Sequence, residues 1–211
     1  MELLKVVSYF SSFSITLPLL VGFWLFRKLS FTGKIILIFI IITAIIETIA
    51  AVLFYQKQFN LFVFHIHTYF EFGFYSLLLI RAFKSTYLKQ VVLIGIPVFL
   101  TLSIYLLFMV QGLDHFNSLQ RHFEGALLIL YFVIYLFHPK EAGGESWKKN
   151  HITVLIISSL LYFTGSLIVF IFADQMFSTG QDSAWIVHGI LNTLLNVVFA
   201  RTLLKCSKIF S

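Results

Sequence analysis

Seven long apolar runs, separated only by short charged or turn-forming stretches, constrain this chain more than any other feature. They cover roughly residues 6–26, 35–55, 61–83, 91–110, 123–137, 152–172 and 184–204. A helix needs about 20 mostly apolar residues to cross a bilayer. The fifth run is the shortest and most polar, and reaches that length only if Leu119 to Glu124 join it. Between the runs lie Arg27-Lys28, Gln56-Lys57, Lys84 to Lys89, Gln111-Gly112, the stretch 139–150 and the stretch 178–181. The runs are continuous and do not alternate with period two, which argues against a membrane barrel. The expected fold is all-α: a polytopic seven-helix transmembrane bundle forming one domain over 1–211.

Composition supports the same reading. Only 11% of the 211 residues are charged, against about 25% in a soluble domain. That is too little charge to cover a water-facing surface, which argues against a soluble enzyme, a disordered chain and a nucleic-acid module. The net charge of +6 does not point to nucleic acid, because the basic residues sit between apolar runs. The single cysteine, Cys206, cannot close an internal disulfide. The partner implied throughout is the lipid bilayer.

Lys and Arg favour cytoplasmic connections, and here they alternate side by side. Arg27, Lys28, Lys34, Arg81, Lys84, Lys89, Lys140, Lys148, Lys149, Arg201, Lys205 and Lys208 fall on one side of a seven-span chain; Lys5, Lys57 and Arg121 fall on the other. This predicts the N-terminus out and the C-terminus in, in a cell membrane (the inner membrane if the chain is bacterial). No small-residue cleavage site follows the first apolar run before Arg27, so that run reads as a span and not as a signal peptide.

A charge at the bilayer centre costs about 2.5–3.5 kcal/mol on insertion scales, so ionisable residues within spans need partners or a purpose. The third run holds the densest group, in the order Asn60, His65, His67 and Glu71. On a helix Asn60, His67 and Glu71 fall within about 40° of one another, whereas His65 lies about 200° from His67. The two histidines of this His-x-His therefore cannot chelate one ion from a regular helix. Glu47 lies about 20 Å from Lys34 and Glu71 about 16 Å from Asn60 at the helical rise, so both carboxylates sit deep in the hydrocarbon. Arg121 and Glu124 are spaced i,i+3 and can pair. His188, Asn192 and Asn196 follow at i, i+4 and i+8 on the last run, and Ser159, Tyr162 and Ser166 share a face of the sixth.

The ionisable groups gather in one half of the predicted bundle, which suggests a pocket open to the outside and not a pore. Candidate ligand-binding residues are Glu47, Asn60, His65, Arg121, Glu124, Asn192 and Asn196. Candidate metal ligands are His67, Glu71 and His188, with Glu47 or Glu124 as a fourth. Three functions stay open. One is a sensing or signalling protein that binds a proton, metal ion or small ligand and acts through a partner membrane or cytoplasmic protein. The second is a membrane-embedded lipid hydrolase using a divalent metal such as zinc, for which three protein ligands and a water are chemically suitable. The third is a transporter or channel, for which an internal repeat and a second polar mouth are missing.

The order Asn60, His65-Ile-His67-Thr-Tyr-Phe-Glu71, with Glu47 on the preceding helix, resembles small seven-helix bacterial integral membrane proteins. That resemblance spans most of the chain and implies a fold and a location but no activity. Seven-helix metal-dependent hydrolases, including alkaline ceramidases and adiponectin-receptor-like proteins, are similar in topology and carry a His-x3-His pair on a late helix. The late helix here reads His188-x3-Asn192, so no residue is carried over from them. Receptors and rhodopsins are similar in span count alone. Thr164-Gly165-Ser166 and His188-Gly189 are read as packing sites of small residues, and no phosphate loop, zinc-finger spacing or dinucleotide fingerprint is present.

Overall fold

In a computed structural model, residues 2–138, 150–171 and 184–207 are described. They form eight α-helices and no strand. These are α1 (Glu2–Ser14), α2 (Thr16–Leu25), α3 (Phe31–Tyr55), α4 (Leu61–Ala82), α5 (Thr86–Tyr105), α6 (Ser118–Phe137), α7 (His151–Ile171) and α8 (Ala184–Lys205). The loop expected at 178–181 and nearly all of that at 139–150 lie outside the described residues. Among the described residues, six helical segments are long and apolar enough to cross a bilayer, the pattern of a multi-pass membrane protein. They are α1 with α2, α3, α5 with its continuation, α6, α7 and α8. The surface agrees: Phe10 is 70% exposed, Trp24 69% and Ile94 65%, an apolar coat that only lipid would satisfy. Helix α4 stands apart because it carries His65, His67 and Glu71 along its length, the last two on its inward face.

The first span is broken in two. Pro18 has no amide hydrogen to give the Ser14 carbonyl, so the ladder fails between α1 and α2. Ser14 and Thr16 turn their hydroxyls onto the carbonyls of Ser11 and Phe13, each at 2.7 Å. Elsewhere the ends are capped as sequence chemistry dictates: Ser30 accepts from the Gly33 amide at the start of α3, and Asn150 accepts from the Ile152 and Thr153 amides at the start of α7. Helix α5 contains Pro97 and passes into a π-helical turn, Leu106–Gln111. Gly112, at φ 78°, ends it.

Packing closes a ring. Helices α1 and α2 lie on α8, α8 on α7, α7 on α6, α6 on α4, α4 on α3, and α3 returns to α2 and α8. Helix α5 packs outside the ring on α4 and α6. The end bearing the 56–60 turn also carries the connection into α6 and the start of α8. At the opposite end Ser30 donates its amide to the Cys206 carbonyl at 2.9 Å, tying the α3 entrance to the α8 exit. Between the two, stacked rings fill the core, among them Phe39 on Phe74 and Phe72 on Phe99, each pair with centroids 3.9 Å apart.

Candidate functional site

The ring encloses a cavity of about 400 Å³. Every ring member contributes to its wall: Ile15 at the break between α1 and α2, Thr43 and Glu47 on α3, His67, Glu71 and Tyr75 on α4, Asn117 and Arg121 at the start of α6, Tyr162 and Phe170 on α7, and Trp185, His188, Asn192 and Asn196 on α8. Phe39, Phe54, Phe64, Phe116 and Phe199 complete a largely aromatic lining, and Asn60 stands at the 56–60 end.

One cation organises the polar part. Arg121 is 8% exposed and Glu124 fully buried. Arg121 Nη1 donates to the Glu71 carboxylate and, at 3.0 Å, to Glu124 Oε2. Its Nη2 donates to His67 Nδ1 at 2.8 Å, and its guanidinium carbon lies 5.7 Å from the Phe170 ring centre. A guanidinium suits this position because its planar fork serves several acceptors at once. Since His67 Nδ1 accepts, Nε2 carries the ring proton, and that atom is buried with no partner. Glu124 Oε1 is likewise buried and unpartnered. Glu47 has no hydrogen-bond partner among the described residues.

The expected residues sort into three groups. His67, Glu71 and Arg121 converge directly, and Glu124 joins them through Arg121 from behind the cavity wall. Glu47, Asn60, His188, Asn192 and Asn196 line the same cavity but are tied elsewhere or free of partners. Asn60 donates to the Ala50 carbonyl at 3.1 Å, and His188 Nδ1 pairs with the Ser166 hydroxyl at 3.0 Å. His188 also sits in an aromatic cage of Tyr162, Phe170 and Trp185, with centroid distances of 5.5–5.7 Å. Asn192 and Asn196 donate to Ser11 at 2.9 Å and Ser14 at 2.7 Å, joining the broken first span to α8. The third group is His65 alone. It points away from the cavity, with Nδ1 against Gln120 Oε1 and Nε2 3.1 Å from the His115 carbonyl.

Among the described residues no group of three His, Cys, Asp or Glu side chains is arranged to hold a metal ion. The positive charge between His67 and Glu71 is that of Arg121 itself.

Sequence reasoning passed over Gln120 and Asn117. Gln120 is fully buried and donates to Tyr69 Oη and the Ser103 carbonyl, linking α4, α5 and α6. Asn117 donates to the Phe64 carbonyl and Thr68 Oγ1. Both stand where α6 starts, at Ser118, so Leu119 to Glu124 belong to the helix as its length requires. Comparison with protein-family models, curated proteins and solved structures finds no match.

Proposed function

We propose that the protein is a membrane-embedded sensor whose cavity binds a small organic cation: an apolar or aromatic body carrying a protonated amine. The observation that carries this reading is the imbalance of charge in the cavity. The guanidinium of Arg121 is shared between Glu71 on the wall and Glu124 behind it, and Glu47 lines the wall with no hydrogen-bond partner among the described residues. An uncompensated carboxylate in a low-dielectric interior is costly, so Glu47 either takes up a proton or pairs with a bound cation, and a protonated amine supplies that cation. The aromatic lining favours the same ligand, because a cation over an aromatic face gains about 0.5–2 kcal/mol. A cavity of this size accepts a small molecule.

The sensing role rests on the broken first span. Ile15 at the break lines the cavity, and Ser11 and Ser14 on α1 hold Asn192 and Asn196 of the same wall. A ligand that moves this wall moves α1 against α2, and a partner protein reads the change. We assign α4 as a seventh span. Its 22 residues reach about 33 Å at the helical rise, and its polar face is turned inward. Seven spans put the N-terminus outside and the 56–60 end of the cavity facing out, in a cell membrane. Arg27, Lys28, Lys34, Arg81, Lys84 and Lys89 then lie on the cytoplasmic side.

Thermal unfolding of the purified protein in detergent tests the binding. 2-Phenylethylamine is expected to raise the midpoint, and its neutral isostere 2-phenylethanol to leave it unchanged. Equal shifts from both, or none from the amine, refute a cation site.

A further inference from the structure

A second pocket, of about 250 Å³, lies at the opposite end of the bundle from the cavity mouth. Its wall comes from Thr32 on α3, Leu78 and Arg81 on α4, Lys84 beyond it, Tyr135 on α6 and Asn150 before α7. No Asp or Glu among the described residues lines it. Arg81 and Lys84 are both exposed at its rim. Arg81 is held in place from two sides. Its Nε donates to Thr32 Oγ1 at 3.4 Å, and its guanidinium carbon stacks 4.7 Å from the Phe31 ring centre. That hold leaves the two terminal nitrogens of its fork for a further acceptor.

The backbone adds charge of the same sign. Helix α3 begins at Phe31 and α7 at His151, so the first turns of both helices meet at this pocket through Thr32 and Ile152. Helix N-termini carry a partial positive charge of about half a unit. Two side-chain cations and two helix starts thus converge on one polar recess at the edge of an apolar bundle, where a headgroup would sit.

We propose that this pocket binds a phosphate group, with Arg81 as the bidentate anchor and Thr32 and Lys84 as its neighbours. Arg forks match phosphate oxygens in geometry as well as charge. Two sources carry this chemistry at a membrane edge, the headgroup of an anionic phospholipid and free phosphate, and both are measured.

The test compares three proteins in detergent: wild type, Arg81→Gln, and Arg27→Gln as a control. Arg27 is an exposed charge in the turn after α2 that lines no part of the pocket. Each is titrated with short-chain phosphatidylglycerol, short-chain phosphatidylcholine and inorganic phosphate, with the unfolding midpoint and lipid retention in native mass spectrometry as readouts. Wild type is expected to retain phosphatidylglycerol at least 5-fold better than phosphatidylcholine, and Arg81→Gln to lose that preference while Arg27→Gln keeps it. A response to inorganic phosphate alone, lost in Arg81→Gln, identifies free phosphate as the source. Thr32→Val gives a second variant that keeps the charge, and a 2- to 5-fold weakening is expected. Equal losses in Arg81→Gln and Arg27→Gln, or no response to either phosphate source, overturn the proposal.

Discussion

Arg121 on α6 donates to the carboxylate of Glu71 on α4, fifty positions earlier in the chain. With Glu124 on its other side, it is a buried cation flanked by two acids. Breaking such a group by removing one partner costs about 3–5 kcal/mol, since charge is left buried and alone. Arg121→Gln is expected to lower unfolding stability in micelles by that amount. The triple variant with Glu71→Gln and Glu124→Gln is expected to regain most of it, because no uncompensated charge remains. A single-variant loss within about 0.5 kcal/mol, the range of ordinary surface substitutions, contradicts the pairing.

Asn196 and Ser14 join α8 to the broken first span through a 2.7 Å hydrogen bond. Interhelical hydrogen bonds in membranes average about 0.6 kcal/mol in double-mutant cycles, with a maximum near 1.7. A cycle over Asn196→Ala and Ser14→Ala is expected to give a coupling energy in that range. Additive losses would show that the bond contributes nothing to holding α1 on α8.

Cys206 lies past the last span, buried at the tie between the α3 entrance and the α8 exit. Burial pushes its thiol from an ordinary value near 9 up to about 11, opposed by a hydrogen bond with Ser30. The folded state therefore holds the proton more tightly than the unfolded state. The stability this adds is fully present below about pH 9 and is lost as the pH rises toward 11. At neutral pH the folded thiolate fraction falls about 100-fold, and the thiolate is the reactive form. Alkylation with a maleimide is expected to be at least that much slower in the native protein than after unfolding. Equal rates would place the thiol in contact with solvent.

The sequence makes the bundle legible because apolar runs, caps and basic breaks act locally. The inward stripe of His67 and Glu71 and the descending stripe of His188, Asn192 and Asn196 are likewise local, set by helical spacing alone, and all five line the one cavity. The partner of Glu71 is not legible. Spacing offers Arg121 only its own-helix neighbour Glu124, and the contact with α4 exists only once α6 has packed there. The helix over α6 does take in Leu119 to Glu124, as its length requires, but the roles of Asn117, Ser118 and Gln120 are not legible, because their polar groups are spent on other elements of the bundle. His65 faces away from His67 as helical geometry requires, but its partner, Gln120, depends on that same packing. The break before α2 follows from Pro18, whose effect is hidden within a continuous apolar run.

Titration of 2-phenylethylamine into wild type and Glu47→Gln is the most direct measurement of whether the cavity is a cation site. Glu47 lines the wall but bonds to no other described side chain, so its neutral isostere is expected to leave the fold intact while removing one negative charge. A loss of at least 10-fold in affinity, about 1.4 kcal/mol, with an unchanged unfolding midpoint in the absence of amine, is the expected result. Unchanged affinity for the amine in Glu47→Gln contradicts it.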